Sequence, residues 1–358
     1  MGSREYRKLQ HVGKAAYSIT LPKRWVAERG LKPGDLLLVT EEMDGSIRVQ
    51  LPLATPLQVT CTINAELCKS PGLLSRLLVG CYNQGYDTVK IVSESGLTRE
   101  QVREASKIVD RLPGFEIVEQ TRRRIIAQSF IDPSKFPLEG LLKRLQVMVA
   151  SMLNNLIDFM GSGDWRLLNQ VEEIEEKVDQ LYFLTIRLIL LYLKRRELGE
   201  PLGIESPAFA AGARVVVKTL EEIADNLVYI SEELASMKNR GSRFRSEEAE
   251  RLRKLFETVY QVFGKTMKAF FSLDVKVANE VIEEVSRVFG VYRKGVREII
   301  ELDDPKLIRP LRYILNSLGY IAKNCKVIAE VAFNRFVRMN TPIVTLNHST
   351  RSRSFPLE

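Results

Sequence analysis

The sequence predicts a multidomain protein: a small all-β segment, a small α/β sandwich, and then an all-α region of two tandem three-helix bundles. Three patterns lead to this fold class. Short apolar stretches separated by turn residues come first, alternating strand and helix patterns follow, and long amphipathic helices fill the remainder. The predicted segments are 4–53, 55–132 and 135–340, with a tail at 341–358.

In the first segment, "YRKLQHV" and "AYSITL" predict two short strands, and "LLLVTEE" and "SIRVQL" predict two more around an Asp44–Gly45 hairpin turn. Pro22 can open one turn of helix, which Gly30 can close. A unit of about fifty residues buries little apolar surface by itself. We therefore expect its strands to complete a sheet with a second copy of the chain, which makes the protein at least a homodimer.

The second segment alternates between strand and helix. Strands are predicted at "LQVTCTI", at "TVKIV" and within "FEIVEQTRRRIIAQSF". One helix follows Ser70–Pro71 and ends near Gly85, and Thr98 opens another. This order indicates a small α/β sandwich. Its run Arg122–Arg123–Arg124 could bind phosphate, although basic residues on a half-exposed strand are usually only solvated.

The third segment is helical and duplicated. Amphipathic patterns predict two triplets of helices, at 137–160, 164–196 and 207–239, and at 246–271, 274–300 and 305–340. A capping residue followed by proline begins each third helix, at Ser206–Pro207 and at Asp304–Pro305. The sequence thus contains a repeated three-helix unit, at 135–240 and 244–340.

Composition argues against several classes of function. Only His11 and His348 are present, so neither a histidine base nor a histidine-rich metal site is expected, and we predict that the protein is not an enzyme. The four cysteines lack C-x-x-C spacing, which favours reduced thiols over a zinc ribbon. No apolar run approaches the roughly 18 residues of a membrane span, and the start lacks the pattern of a signal peptide. We expect a cytoplasmic protein that is at most peripheral to a membrane.

Two pairs of acids lie beside the apolar stripes of consecutive helices in the first repeat. Glu175 and Asp179 on the second helix, and Glu221 and Asp225 on the third, share the spacing E-x-x-x-D, which puts each pair on one helix face. Like charges next to a core are unfavourable unless a cation meets them. Basic side chains that could do so are Arg187, Arg214 and Lys218.

The other candidate cation is a metal ion, because helical bundles bind hard metals with carboxylates from facing helices. Oxygen ligands without histidine suit iron, manganese, magnesium or calcium better than copper. The residues alone do not decide whether a basic side chain or a metal ion meets these acids.

The repeated unit with "EEKVD" at 175–179 and "LEEIADN" at 220–226 resembles PhoU, the phosphate-uptake regulator, over about 135–340. The resemblance implies metal-binding helical bundles whose ligands correspond to Glu175, Asp179, Glu221 and Asp225. The second repeat departs from the pattern, so a second metal cluster is not expected. Its residues at the four positions are Val285, Phe289, Gly319 and Lys323.

Basic residues are concentrated at the N-terminus, where residues 1–32 carry eight Lys and Arg against two acids. Such a cluster attracts polyanions, although many basic surfaces are only solvated. The stretch "GKAAYSITLPKRWVAERGLKPGDLLLVTEEMDGSIRV" is similar to the SpoVT/AbrB-type swapped-hairpin domain, which binds DNA as a dimer. The resemblance implies five bases that face DNA: Arg7, Lys8, Lys14, Lys23 and Arg24. This AbrB-like domain joined to PhoU-like bundles is similar to an archaeal group of PhoU-related regulators.

These resemblances imply a DNA-binding transcriptional regulator of phosphate uptake, with metal-containing bundles that sense phosphate status. The alternative is an adaptor that contacts a phosphate ABC transporter or a signalling kinase through the bundles, the first segment serving only to form the dimer. A third alternative is a carboxylate-bridged metalloenzyme. It is less favoured because two helices supply only four ligands and the sequence shows no nucleophile.

Overall fold

A computed structural model describes residues 5–13, 16–41, 45–51, 59–239, 241, 244–300 and 305–346. The chain divides into two compact units, Met1–Leu57 and Gln58–Glu358. The first unit consists of short strands and one short helix. The second unit contains an α/β part and all the long helices.

The first unit has two antiparallel strand pairs, β1 with β2 and β3 with β4. Its elements are β1 (Gln10–Val12), β2 (Ala16–Ser18), α1 (Lys23–Glu28), β3 (Leu38–Glu41) and β4 (Ile47–Gln50). None of its described residues is buried, and large apolar side chains such as Tyr6, Tyr17 and Leu36 face solvent. This exposure is what the expected homodimer requires, while the swapped hairpin itself stays a prediction.

Residues 59–132 form what we call the α/β layer. Its elements are β5 (Thr60–Asn64), α2 (Leu73–Asn83), β6 (Thr88–Val92), α3 (Arg99–Val109), β7 (Phe115–Gln120) and β8 (Arg124–Ser129). The sheet order is β5-β6-β8-β7, in which β5 and β6 are parallel and the other pairs are antiparallel. Thr98 opens α3 as predicted, because its hydroxyl accepts the Gln101 N–H while the Gln101 side chain accepts the Thr98 N–H.

Residues 138–336 form the helical region. Its helices are α4 (Leu138–Ser162), α5 (Arg166–Lys194), α6 (Gly199–Leu202), α7 (Pro207–Asn239), α8 (Ser246–Ser272), α9 (Val275–Ile300) and α10 (Pro305–Phe336). The six predicted long helices are confirmed, and their ends differ by a few residues at most. Only α6 was missed, because four residues are too few to carry a periodic pattern.

The two repeats share one continuous core of buried apolar residues. Helices α7 and α10, the equivalent third helices, pack against each other, as do the equivalent first helices α4 and α8. Among the described residues, no helix combines the length and apolar character that crossing a membrane requires. All four cysteines are free thiols, as the sequence predicts, and Cys81 and Cys325 are buried.

The α/β layer is attached to α5 by a buried arginine. Arg187 is 2% exposed, and its guanidinium donates to the carbonyls of Tyr82, at 2.7 Å, and Tyr86, at 3.0 Å. These carbonyls lie at the C-terminal end of α2, where a cation is favourable. The guanidinium also lies over the Tyr82 ring, 4.9 Å from its centroid. Arg187 therefore fixes the end of α2 to α5.

Gly85 permits this close approach. Its φ is +78°, which disfavours any residue with a Cβ, and an added Cβ would lie 2.4 Å from Cδ2 of Leu191 on α5. Lys194 is exposed and lies one turn after Leu191 on α5. It donates to the carbonyl of Gln84 at 2.5 Å. The predicted end of the second-segment helix near Gly85 is thus the contact point between the α/β layer and the helical region.

Candidate metal centre

Helices α5 and α7 pack side by side and bring the predicted acids together. The apolar stripe of α5 is buried at Val171 and Val178, and that of α7 at Leu220, Ala224 and Leu227. The acids occupy the edges of these stripes, where they are neither in the core nor fully in water. The apolar pattern therefore sets both the packing of the helices and the placement of the carboxylates.

Three of the four predicted ligands form a compact group. Glu175 and Asp179 on α5 and Asp225 on α7 each offer a carboxylate oxygen, and these oxygens all lie within 4.8 Å of one another. Glu221 lies outside this group, because Lys218 on the same helix holds its carboxylate in an ion pair. We call Glu175, Asp179 and Asp225 the acidic triad.

Burial and mutual repulsion disfavour the charged forms of these acids. Partial burial, and then the charges of Asp179 and Asp225, raise the pKa of Glu175 to about 7. Burial also raises the pKa of Asp179, and the positive charge of Arg111 opposes this shift. Burial likewise raises the pKa of Asp225, and here the charge of Lys218 opposes it. Negative charge is thus concentrated in a place where water solvates it poorly, and a cation would relieve this.

The side-chain cations that reach the site differ from most of those the sequence suggested. Arg111, from the turn after α3 in the α/β layer, places Nη2 2.5 Å from Oδ2 of Asp179. Of the three basic residues that the sequence offered, Lys218 pairs with Glu221, whereas Arg187 binds the end of α2 instead of the acids. Among the described residues, no hydrogen-bond or ion-pair partner meets the carboxylates of Glu175 and Asp225.

The donor set fits a hard metal ion. The acidic triad offers only carboxylate oxygens, the ligands that magnesium, manganese and iron accept, and it contains no soft donor. Within the part of the chain that the structure describes, the half-buried carboxylates of Glu175 and Asp225 have no partner, and a bound cation would supply one. Three protein oxygens leave the remaining coordination positions to water or to an added ligand.

The second repeat fills the equivalent place with aromatic rings. Phe289 and Tyr292 pack edge to face, with centroids 6.2 Å apart. A Cβ added at Gly319 would lie 3.7 Å from the Tyr292 ring and 3.8 Å from the Phe289 ring. Tyr292 donates its hydroxyl hydrogen to Oδ1 of Asn316 at 2.7 Å, and Lys323 is exposed. The loss of the acids is therefore accompanied by apolar packing.

The bases predicted to face DNA lie on the first unit, and all those described are exposed. Arg7 and Lys8 precede β1 instead of lying within the predicted longer strand, and Lys14 falls outside the described residues. Arg7 is paired with Glu5 and Arg24 with Glu28 on α1. The structure therefore shows a basic surface that is partly neutralised by its own acids.

Replacing Glu175 by glutamine should stabilise the metal-free protein at pH 8 by roughly 1–2 kcal/mol, after allowance for partial exposure. The folded-state pKa, about 7, exceeds the ordinary 4.5, so ionisation weakens the fold as pH rises between these values. Thermal unfolding with chelator at pH 8 and pH 4.5 measures this effect. The difference in stability between the variant and the wild type should vanish at pH 4.5. Glu173→Gln, exposed on the same helix, is the control. Equal effects of the two substitutions at pH 8 would contradict the electrostatic account.

Comparisons with known proteins place these features in context. The PhoU domain model matches residues 142–234, which include all four predicted ligands. The crystal structure of PhoU from Pseudomonas aeruginosa is similar over 56% of this chain and 95% of its own, with 21% identity and a TM-score of 0.50. That of the phosphate transport system regulatory protein PhoU from Streptococcus pneumoniae covers 55% and 91%, with 15% identity and a TM-score of 0.47.

A comparison with curated protein sequences finds no match. The likeness to the Pseudomonas aeruginosa structure concerns the fold, since the identity is low. The domain match covers most of the first repeat, and the second repeat lies beyond it. Residues 142–234 therefore match the PhoU domain model, and they lie within a larger part whose fold is similar to that of the Pseudomonas aeruginosa PhoU.

Proposed function

We propose that this protein regulates phosphate uptake by contact with other proteins, as an adaptor for a phosphate ABC transporter or a signalling kinase. One observation carries the proposal: the PhoU domain match coincides with the repeat that has kept its carboxylates. An adaptor of this kind acts in the cytoplasm as a homodimer and has no catalytic role.

Within this proposal, Glu175, Asp179 and Asp225 bind a metal ion, and iron, manganese and magnesium are the candidates. The ion supplies positive charge that holds carboxylates of α5 and α7 together. Glu221 forms an ion pair with Lys218. It becomes a fourth ligand of the metal ion if Lys218 releases it. The metal centre then fixes the relative position of two long helices on a face of the helical region.

Reconstitution tests the adaptor function. The phosphate ABC transporter of the same organism would be placed in lipid vesicles, and ATP-driven phosphate uptake measured with increasing amounts of this protein. A saturable change in uptake rate is expected with the wild type and not with Asp179→Ala/Asp225→Ala. A transporter that responds to neither protein, together with no binding of its ATPase subunit, would contradict this function.

DNA binding by the first unit is a second candidate, favoured by the exposed bases there. Lys23 is exposed at the start of α1, and the Arg24 side chain is 88% exposed although it reaches Glu28. As a regulator of transcription, the homodimer would bind promoters of phosphate-transport genes through phosphate contacts.

Replacing Lys23 and Arg24 by glutamate should weaken promoter binding by at least about a hundredfold at 100 mM salt, because each change turns a phosphate attraction into a repulsion. Fluorescence anisotropy with a labelled promoter fragment measures this, and wild-type affinity should fall steeply with salt. Lys69→Glu, in the α/β layer, is the control. Equal affinity of wild type and variant would exclude this surface as the DNA contact.

A further inference from the structure

Two of the contacts between the α/β layer and helix α5 differ in their chemistry. At residue 187 the buried guanidinium of the helix holds backbone carbonyls of the layer. At residue 179, eight residues earlier and about 12 Å along the helix, the contact is reversed, since Arg111 of the layer reaches a carboxylate of the helix. Only this second contact uses a residue of the acidic triad.

We propose that Arg111 is the resident counter-cation of the acidic triad, that metal binding displaces it from Asp179, and that the α/β layer thereby reports whether the metal site is occupied. The inference rests on the proposed metal centre and adds a way in which its state reaches the rest of the molecule. Arg111 acts here as a positioning residue, through Asp179 and not as a metal ligand.

Competition follows from charge and distance. The Arg111 guanidinium is in direct contact with Asp179, whose oxygen is within 4.8 Å of the other ligand oxygens. A divalent ion bound between these oxygens would lie on the order of 5 Å from the guanidinium, where like charges repel strongly in half-buried surroundings. The Arg111 side chain is 44% exposed, so it can turn to solvent at little cost. The ion cannot, since it needs all three carboxylates.

The turn that carries Arg111 connects the two contact points. Leu112 is buried in the core of the α/β layer, and the carbonyl of Pro113 accepts the Tyr82 hydroxyl hydrogen at 2.8 Å. Tyr82 in turn lies under the guanidinium of Arg187. A metal ion would thus free one end of the layer, while the Arg187 contact keeps the other end in place.

Isothermal titration with Mn²⁺ at pH 8 tests the inference on the full chain. Arg111→Ala should bind Mn²⁺ about tenfold more tightly than the wild type, because no side chain then competes for Asp179. The control, Arg103→Ala, removes an exposed arginine of α3 and should leave the affinity unchanged. Circular dichroism establishes that each variant is folded.

Hydrogen exchange gives a second measurement that does not depend on affinity. Saturating Mn²⁺ should speed amide exchange in residues 109–115 of the wild type and of Arg103→Ala, and should leave it unchanged in Arg111→Ala. If the wild type binds Mn²⁺ but Arg111→Ala binds it equally or more weakly, the counter-cation role is wrong while the metal centre stands. If neither protein binds Mn²⁺, both are wrong.

Discussion

Replacing Arg187 by methionine is expected to destabilise the second unit by about 3 kcal/mol, because the Tyr82 and Tyr86 carbonyls lose charge-assisted hydrogen bonds from a buried guanidinium. Methionine keeps the length of the side chain but donates nothing to the end of α2. Urea unfolding followed by tyrosine fluorescence measures the loss, and amide exchange in residues 82–87 should rise.

Lys194→Ala is the matched control, since Lys194 donates to the neighbouring carbonyl of Gln84 from an exposed position. Its removal should change the free energy of unfolding by less than about 1 kcal/mol. Similar losses for both variants would mean that general packing, and not the buried guanidinium, attaches the α/β layer to α5.

Replacing Asp225 by alanine is expected to abolish stabilisation of the protein by metal. At a free Mn²⁺ concentration of 100 times the dissociation constant, the wild type should gain about 2.7 kcal/mol, and the variant should gain nothing. The physical reason is that α7 contributes one carboxylate to the acidic triad, so its loss leaves ligands on α5 alone. Thermal unfolding with Mn²⁺ and with chelator gives both values.

The second repeat offers an internal control for this measurement. Lys323 is exposed and occupies the position equivalent to Asp225. The positions equivalent to the other predicted ligands carry no acid in the second repeat. Lys323→Ala should therefore keep the full response to Mn²⁺, with one ion bound per chain by elemental analysis. A reduced response in Lys323→Ala, or two ions per chain, would contradict a single site in the first repeat.

Local signals in the sequence were sufficient to predict the six long helices. Proline after a capping residue marks the start of α7, and regular apolar spacing marks the faces that pack. The same spacing correctly placed Glu175, Asp179 and Asp225 beside one another, because positions four apart share a face and the two helices are neighbours. The pairing of Lys218 with Glu221 is also local, since three residues separate them.

Contacts between distant parts of the chain could not be predicted in this way. Arg111 and Asp179 are 68 residues apart, and nothing near Arg111 in the sequence distinguishes it from the other exposed arginines. Arg187 has a position on α5 that suggested a partner for the acids, yet it faces the α/β layer. Both results depend on how the layer packs on α5, which is a property of the tertiary structure.

The rings around Gly319 bear on whether the second repeat could regain its metal site by evolution. A Cβ at position 319 would lie at an ordinary contact distance from both rings, so a glutamate could fit there, but its carboxylate would be close to apolar rings without a counter-charge. Because the four ligand positions of the first repeat are all changed in the second, a carboxylate site there would require several substitutions together.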